Sequence, residues 1–308
     1  MKYTKEQKED ILARIEDLAQ EVGSINKVCR LTGVSAAIMS GIRKGTYSGD
    51  EDKQYEVLES YLKVREGAKK LESTQGGGYV PTSVSENVYA IIQNCQLKGG
   101  LAIACGDAGI GKTRAARKFA DDNPNHAILV TINPCIKGTR SVLKVMCDRL
   151  SIDARTVDEM WLGIAEKLRD KMVLIFDEAQ HLPIKTIESL RAFSDYFTEK
   201  GQTLGIVFIG NMEAVHNFAG NRRADFAQIV NRTKQNRQYY AKQITKEDIE
   251  KLFPTLAGKD KEIEFLHAVA QSKQAIRGAA NLFSNALDNE NISYDGLVAM
   301  AKSMEMVI

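Results

Sequence analysis

The sequence predicts an α/β protein: a parallel sheet with helices on both faces, a helical segment at its C-terminal end, and a separate all-α domain in front. Three observations predict it. Apolar runs at 101–105, 172–176 and 204–210 are long enough for strands buried on both faces and too short for helices. The stretches between them carry helical periodicity, and strand–helix alternation is the pattern of a parallel sheet covered on both sides. A glycine run at 76–78 separates this region from an N-terminal stretch in which every pattern is helical.

The N-terminal stretch opens with a helical stripe, Ile11, Leu12, Ile15, Leu18, Ala19 and Val22, behind the capping pair Thr4 and Gln7, and Gly23 stops it. Ser24 is placed to cap a second helix through Leu31. The turn Thr32-Gly33-Val34 follows, and Ser35 caps a third helix running to Lys44 and closed by Gly45. Helix, short turn with glycine, helix is the helix-turn-helix pattern. The second of its helices carries small side chains, Ala36, Ala37 and Ser40, that allow close approach to a DNA groove, while Lys27, Arg30, Arg43 and Lys44 are candidates for phosphate contacts. Basic and acidic residues balance over 1–72, with 13 of each, so this region is not a strongly cationic one. A further helix over 50–71 completes the small bundle. The expected organisation is a helix-turn-helix domain over 1–72, a flexible linker over 73–84, a core over 85–240 and a helical lid over 241–308.

In the core the patterns predict a helix near 88–98, strand 101–105, helix 112–121, strand 127–132, helices 139–151 and 156–170, strand 172–176, helix 185–200 and strand 204–210. Beyond about 240 only helical patterns remain, over 246–253, 260–271, 278–287 and 294–304.

Directly after the first strand stands Gly106-Asp107-Ala108-Gly109-Ile110-Gly111-Lys112-Thr113, which fits G-x-x-x-x-G-K-[ST] at every position. Glycines let the backbone curl so that several N–H groups face one anion, the helix that follows adds the positive end of its dipole, and Lys112 supplies a mobile cation. This is a phosphate-binding loop, and Thr113 is placed to hold Mg²⁺ through its hydroxyl. About sixty residues later the run 172–176 ends in Asp177-Glu178. A parallel strand delivers these carboxylates to the edge where ligands of open α/β sheets bind, Asp177 toward Mg²⁺ and Glu178 toward the attacking water. The run 204–210 ends in Asn211, which either caps the next helix or holds that water or the terminal phosphate.

Taken together, these motifs resemble the AAA+ ATPase family, and within it the target-DNA activators of transposition of the phage Mu type. The resemblance spans nearly the whole chain: the helix-turn-helix, the glycine linker, the loop at 106–113, the string Asp177-Glu178-Ala179-Gln180-His181-Leu182, and the helical lid. It implies an ATP-dependent, DNA-dependent ATPase with ATP and Mg²⁺ as cofactors, binding double-stranded DNA with little sequence preference. It further implies a homo-oligomeric filament on DNA, delivery of that DNA to a transposase with stimulation of strand transfer, and target immunity. The resemblance assigns Asn211 a sensor role and Arg277 that of a second sensor in the lid. The arginine finger contributed by a neighbouring subunit falls to Arg222, Arg223 or Arg232, among which the sequence does not choose. It also places Lys137, Arg140 and Lys144 in a region facing the DNA channel, while residues 222–246, with seven Lys or Arg against one acid, offer a second basic surface.

Composition narrows the alternatives. With 42 basic and 40 acidic residues the formal net charge is only +2, so local clusters matter more than the sum. No run of eighteen apolar residues occurs, which argues against a membrane span and for a cytoplasmic protein, in the host cytoplasm if phage-encoded. Five cysteines without C-x-x-C spacing and four histidines suggest neither a zinc site nor a disulfide frame, and Gln180 and His181 read as helix packing or neighbours of the nucleotide rather than as parts of a metal site. Two other functions share these motifs: a loader or regulator of another DNA-processing system, and an ATP-switched regulator reading one operator through residues 24–44.

Overall fold

The computed structural model describes residues 3–74, 78–211 and 233–307. It divides into two compact units, Met1–Gly78 and Tyr79–Ile308. The first contains α1 (Lys5–Val22), α2 (Ile25–Thr32), α3 (Ala36–Lys44) and α4 (Glu51–Thr74). Each of the first three starts at a hydroxyl cap, Thr4, Ser24 or Ser35, whose side chain accepts from the backbone N–H three residues on. The turn between α2 and α3 requires a left-handed residue, and Gly33 supplies it at φ 75°. The helices close on one apolar core that includes Ile15, Val28, Met39, Ile42, Leu58 and Leu62.

The second unit is built on a five-stranded sheet in the order β2-β3-β4-β1-β5. Its strands are β1 (Gly100–Gly106), β2 (Ala127–Thr131), β3 (Met172–Asp177), β4 (Leu204–Gly210) and β5 (Thr233–Tyr239). Every pairing is parallel. Because side chains alternate along a strand, β1 sends Ala102 and Ala104 to one face and Leu101, Ile103 and Cys105 to the other; β3 divides Val173 and Ile175 from Leu174 and Phe176 in the same way. One face is covered by α5 (Ser83–Lys98) and α6 (Lys112–Asp122), and the other by α7 (Thr139–Leu150), α8 (Val157–Lys167) and α9 (Ile184–Glu199). The C-terminal helices α10 (Lys246–Leu252), α11 (Asp260–Gln271), α12 (Ala275–Asp288) and α13 (Tyr294–Ser303) share the core of the first face. Lid and sheet are therefore joined by continuous packing within this unit. Among the described residues no helix is long and apolar enough to cross a membrane.

The sequence patterns omit β5. Its residues, Thr-Lys-Gln-Asn-Arg-Gln-Tyr, show no apolar alternation, and only the last is buried. An edge strand needs neither face covered; β5 is held by its ladder to β1.

Phe176 and Phe208 are fully buried on neighbouring strands and stack at a centroid separation of 5.6 Å. Truncating Phe176 to Ala removes that contact and leaves a cavity, for an expected loss of about 3–5 kcal/mol. Denaturant unfolding followed by a probe in the sheet-bearing unit checks it, and a loss under about 1 kcal/mol would show that the site collapses to fill the gap.

Candidate nucleotide site

The loop at 106–113 begins where β1 leaves the sheet, and its first residue is fixed by a close approach. A Cβ on Gly106 would lie 2.2 Å from the carbonyl oxygen of Tyr239, so no other residue fits without moving β5. Asp107 is clamped twice beside it: its N–H donates to the Tyr239 carbonyl at 3.0 Å, and its carboxylate accepts from the Ala241 N–H at 2.8 Å. Ile110 is fully buried and anchors the middle of the loop in the core. Gly111 caps α6, which leaves the first N–H groups of that helix facing the loop.

Lys112 is only 8% exposed. Its ammonium donates to the carbonyls of Gly106 at 2.9 Å and Asp107 at 2.6 Å, so it arches back over the loop. Burial pushes its pKa down, while the nearby Cys105, Asp177, Glu178 and Asp107 pull it back up. A cation with little hydration of its own gains most from an anionic ligand.

Asp177 ends β3 and is 2% exposed. Burial raises its pKa, a hydrogen bond from the Thr113 hydroxyl opposes that, and the charge of Glu178 adds to it. The Thr113–Asp177 contact ties the phosphate loop to the end of β3 and brings two hard oxygen donors together. Among the described residues no group of three or more His, Cys, Asp or Glu forms a metal cage. One carboxylate, one hydroxyl and the oxygens of a bound phosphate are the donor set that suits Mg²⁺, which keeps much of its water, so these residues fit that ion.

Glu178 adopts a left-handed backbone, φ 57° and ψ 37°, and leads into a 3₁₀ turn, Ala179–His181. Its carboxylate accepts from the side-chain amide of Gln180, whose own oxygen accepts from the Asn211 N–H at 3.2 Å. Asn211 follows the end of β4, so the structure brings Glu178 and Asn211 together through Gln180. The sequence places Gln180 near the nucleotide or in helix packing; its bridge between Glu178 and Asn211 is not foreseen there. From the lid, the Arg277 N–H donates to the Gly109 carbonyl at 3.1 Å, so the start of α12 rests on the loop while its side chain is exposed. Arg222, Arg223 and Arg232 lie outside the described residues.

Away from this site, Lys137, Arg140 and Lys144 are exposed on the loop after β2 and the first turns of α7. Arg140 donates to the Arg155 carbonyl at 2.8 Å, and the Lys137 carbonyl accepts from Thr186 of α9 at 3.2 Å, so the backbone carrying this cluster is anchored. In the N-terminal unit Lys27, Arg30, Ser40, Arg43 and Lys44 are all exposed, with Arg43 ion-paired to Glu16 of α1.

Residues 96–218 match the protein family described as AAA domain. Among solved structures, the chain resembles the ORC2 protein of Aeropyrum pernix in its ADP form, with a TM-score of 0.54 at 12% identity over 73% of this chain and 69% of that one. It also resembles the ORC1 protein of the same organism in complex with DNA, with a TM-score of 0.52 at 15% identity over 74% and 67%. The core has the AAA+ P-loop NTPase fold. Relatives extend the likeness beyond it. The chain is 24% identical over 274 residues to the ATP-dependent target DNA activator B of Escherichia phage Mu, covering 87% of this chain and 85% of the relative. To the Mu-like prophage FluMu DNA transposition protein B of Haemophilus influenzae it is 27% identical over 215 residues, 68% and 72%.

The buried carboxylate gives a stability prediction for the sheet-bearing unit. A raised pKa means that folded Asp177 holds a proton which the unfolded chain has already lost, so stability falls as pH rises through that range. Asp177→Asn is expected to raise the melting temperature at pH 7 in the presence of a chelator, and the gain should shrink as pH falls toward 4. Calorimetry at both pH values checks it; an equal gain at each would assign the effect to something other than ionisation.

Proposed function

We propose that this protein is an ATP-dependent DNA-binding ATPase that gathers target DNA for a transposase. The observation that carries the reading is the convergence of the phosphate loop, the Thr113–Asp177 pair and Glu178 at one edge of the sheet, in a chain whose relatives over most of its length are named as target DNA activators or a DNA transposition protein.

The residues divide the work as follows. The N–H groups from Gly106 to Thr113 and the start of α6 bind the phosphates of ATP, and Lys112 exchanges its loop carbonyls for the outer phosphate oxygens. Thr113 and Asp177 would hold Mg²⁺, which would neutralise phosphate charge when bound. Glu178 accepts a proton from the attacking water as its oxygen bonds to the terminal phosphorus and the bond to ADP breaks. Asn211 orients that water, and Arg277 reaches over the nucleotide from the lid. The trans-acting finger comes from Arg222, Arg223 or Arg232 of a neighbouring subunit, which makes hydrolysis depend on assembly into a filament.

DNA binding is assigned to Lys137, Arg140 and Lys144 and to the helix-turn-helix. The exposed face of α3 favours low sequence preference: Ala36, Ala37 and Ser40 lack the bidentate groups that read base edges, and Arg43 is engaged with Glu16. Coating of target DNA, stimulation of strand transfer, target immunity and a place in the host cytoplasm all follow from this reading.

Two predictions test it. Lys112→Ala is expected to lose ATP binding, while Glu178→Gln binds ATP and hydrolyses it about 10²–10⁴-fold more slowly. Nucleotide titration and steady-state turnover with DNA present measure the two, and parental turnover in Glu178→Gln would remove Glu178 as the base, while no turnover in the parent protein would remove the ATPase assignment. Secondly, ATP-dependent affinity for unrelated duplexes of equal length is expected to be similar and to fall steeply with salt. Replacing Lys137, Arg140 and Lys144 together by Ala should lower the slope of log K against log salt by up to about three phosphate contacts' worth. A preference for one duplex of about a thousandfold would instead identify a sequence-specific regulator.

A further inference from the structure

We propose that Gln180 is a positioning residue for hydrolysis, fixing the Glu178 carboxylate and locking it to the end of β4 at Asn211. The inference rests on the ATPase reading above and deepens it. Glu178 leaves β3 in a left-handed conformation that costs a non-glycine residue about 1–2 kcal/mol. That turn aims the side chain but leaves its torsions to be set by something else. Gln180 is 9% exposed, and a buried primary amide must satisfy both of its ends. One end donates to Oε2 of Glu178, which leaves Oε1 as the oxygen available to a water. The other end accepts from the Asn211 N–H at 3.2 Å.

The support beneath Gln180 is rigid. Its 3₁₀ turn is closed by His181 N–H to the Glu178 carbonyl at 3.2 Å and Leu182 N–H to the Ala179 carbonyl at 3.0 Å, and Ala179 and Leu182 are buried on the far side. A base must be held within about half an ångström of its productive position. Here the direction of the carboxylate depends on an amide that also holds the backbone of the sensor residue. Glu178 and Asn211 therefore move as one unit, and a displacement at the end of β4 turns the base.

The test separates positioning from simple structural support. Gln180→Met keeps the volume and removes both hydrogen-bonding ends; Gln180→Glu keeps an acceptor for the Asn211 N–H and replaces the donor to Glu178 by a like charge. Both are expected to lower kcat by about 10–100-fold with KM and ATP affinity within twofold of the parent, as for loss of an interaction made in the transition state. In single-turnover experiments, adding Gln180→Met to Glu178→Gln is expected to cause no further loss, because the amide acts only through that carboxylate. Additive losses, or a fall in ATP affinity matching the fall in kcat, would overturn the proposal. If Gln180→Met lowers the melting temperature, Gln180→Glu carries the same cycle and the same criteria. Absence of ATP turnover in the parent protein would sink the ATPase reading itself, whereas an inactive Glu178→Gln beside fully active Gln180 variants would sink only the role of Gln180.

Discussion

The arrangement at the nucleotide site depends on how the main chain of 106–109 is gripped. β5 supplies the Tyr239 carbonyl against Gly106 and Asp107, the turn after it supplies the Ala241 N–H to the Asp107 carboxylate, and α12 supplies the Arg277 N–H to the Gly109 carbonyl. An anion-binding loop works only if its N–H groups are already turned inward, since turning them afterwards would spend the binding energy on ordering the chain. The three grips come from elements far apart in sequence, so sheet edge, loop and lid are geometrically dependent on one another.

Within that frame the charges are held at a cost to the unliganded fold. Lys112 and Asp177 are both nearly inaccessible, burial pushes each toward its neutral form, and Glu178 stands beside them in a left-handed backbone. Neither Lys112 nor Asp177 would be chosen for stability, since buried charges are weak stabilisers at best. Their placement is intelligible as a site prepared for a phosphate and a divalent cation, which supply the charges that are otherwise unbalanced.

Much of the core was legible in the sequence because burial on both faces leaves a strong signature: 101–105, 172–176 and 204–210 have no polar side chain, and β1, β3 and β4 lie there. The phosphate loop was legible for a different reason, since its glycines and Lys112 answer to local geometry that the string alone specifies. β5 was not, because an edge strand has no apolar period to display and exists only through its ladder to β1. Nor was the bridge formed by Gln180, which depends on side-chain torsions and on the approach of Asn211 from another strand. The contact of Arg277 with the loop was foreshadowed by its place at the start of a lid helix, but that its main chain should bond Gly109 belongs to tertiary packing.

β5 carries one more implication. Among the described residues it is the last strand of the sheet, and along its length Lys234, Asn236, Arg237 and Gln238 are exposed; it holds no proline, and its ladder to β1 shifts register at Lys234, between the pairs Leu101–Thr233 and Ala102–Gln235. An open strand edge is a template for runaway pairing between copies, and lysine and arginine on it make such pairing electrostatically unfavourable. The charges on this edge thereby guard the sheet of one copy against amyloid-like extension by the sheet of another.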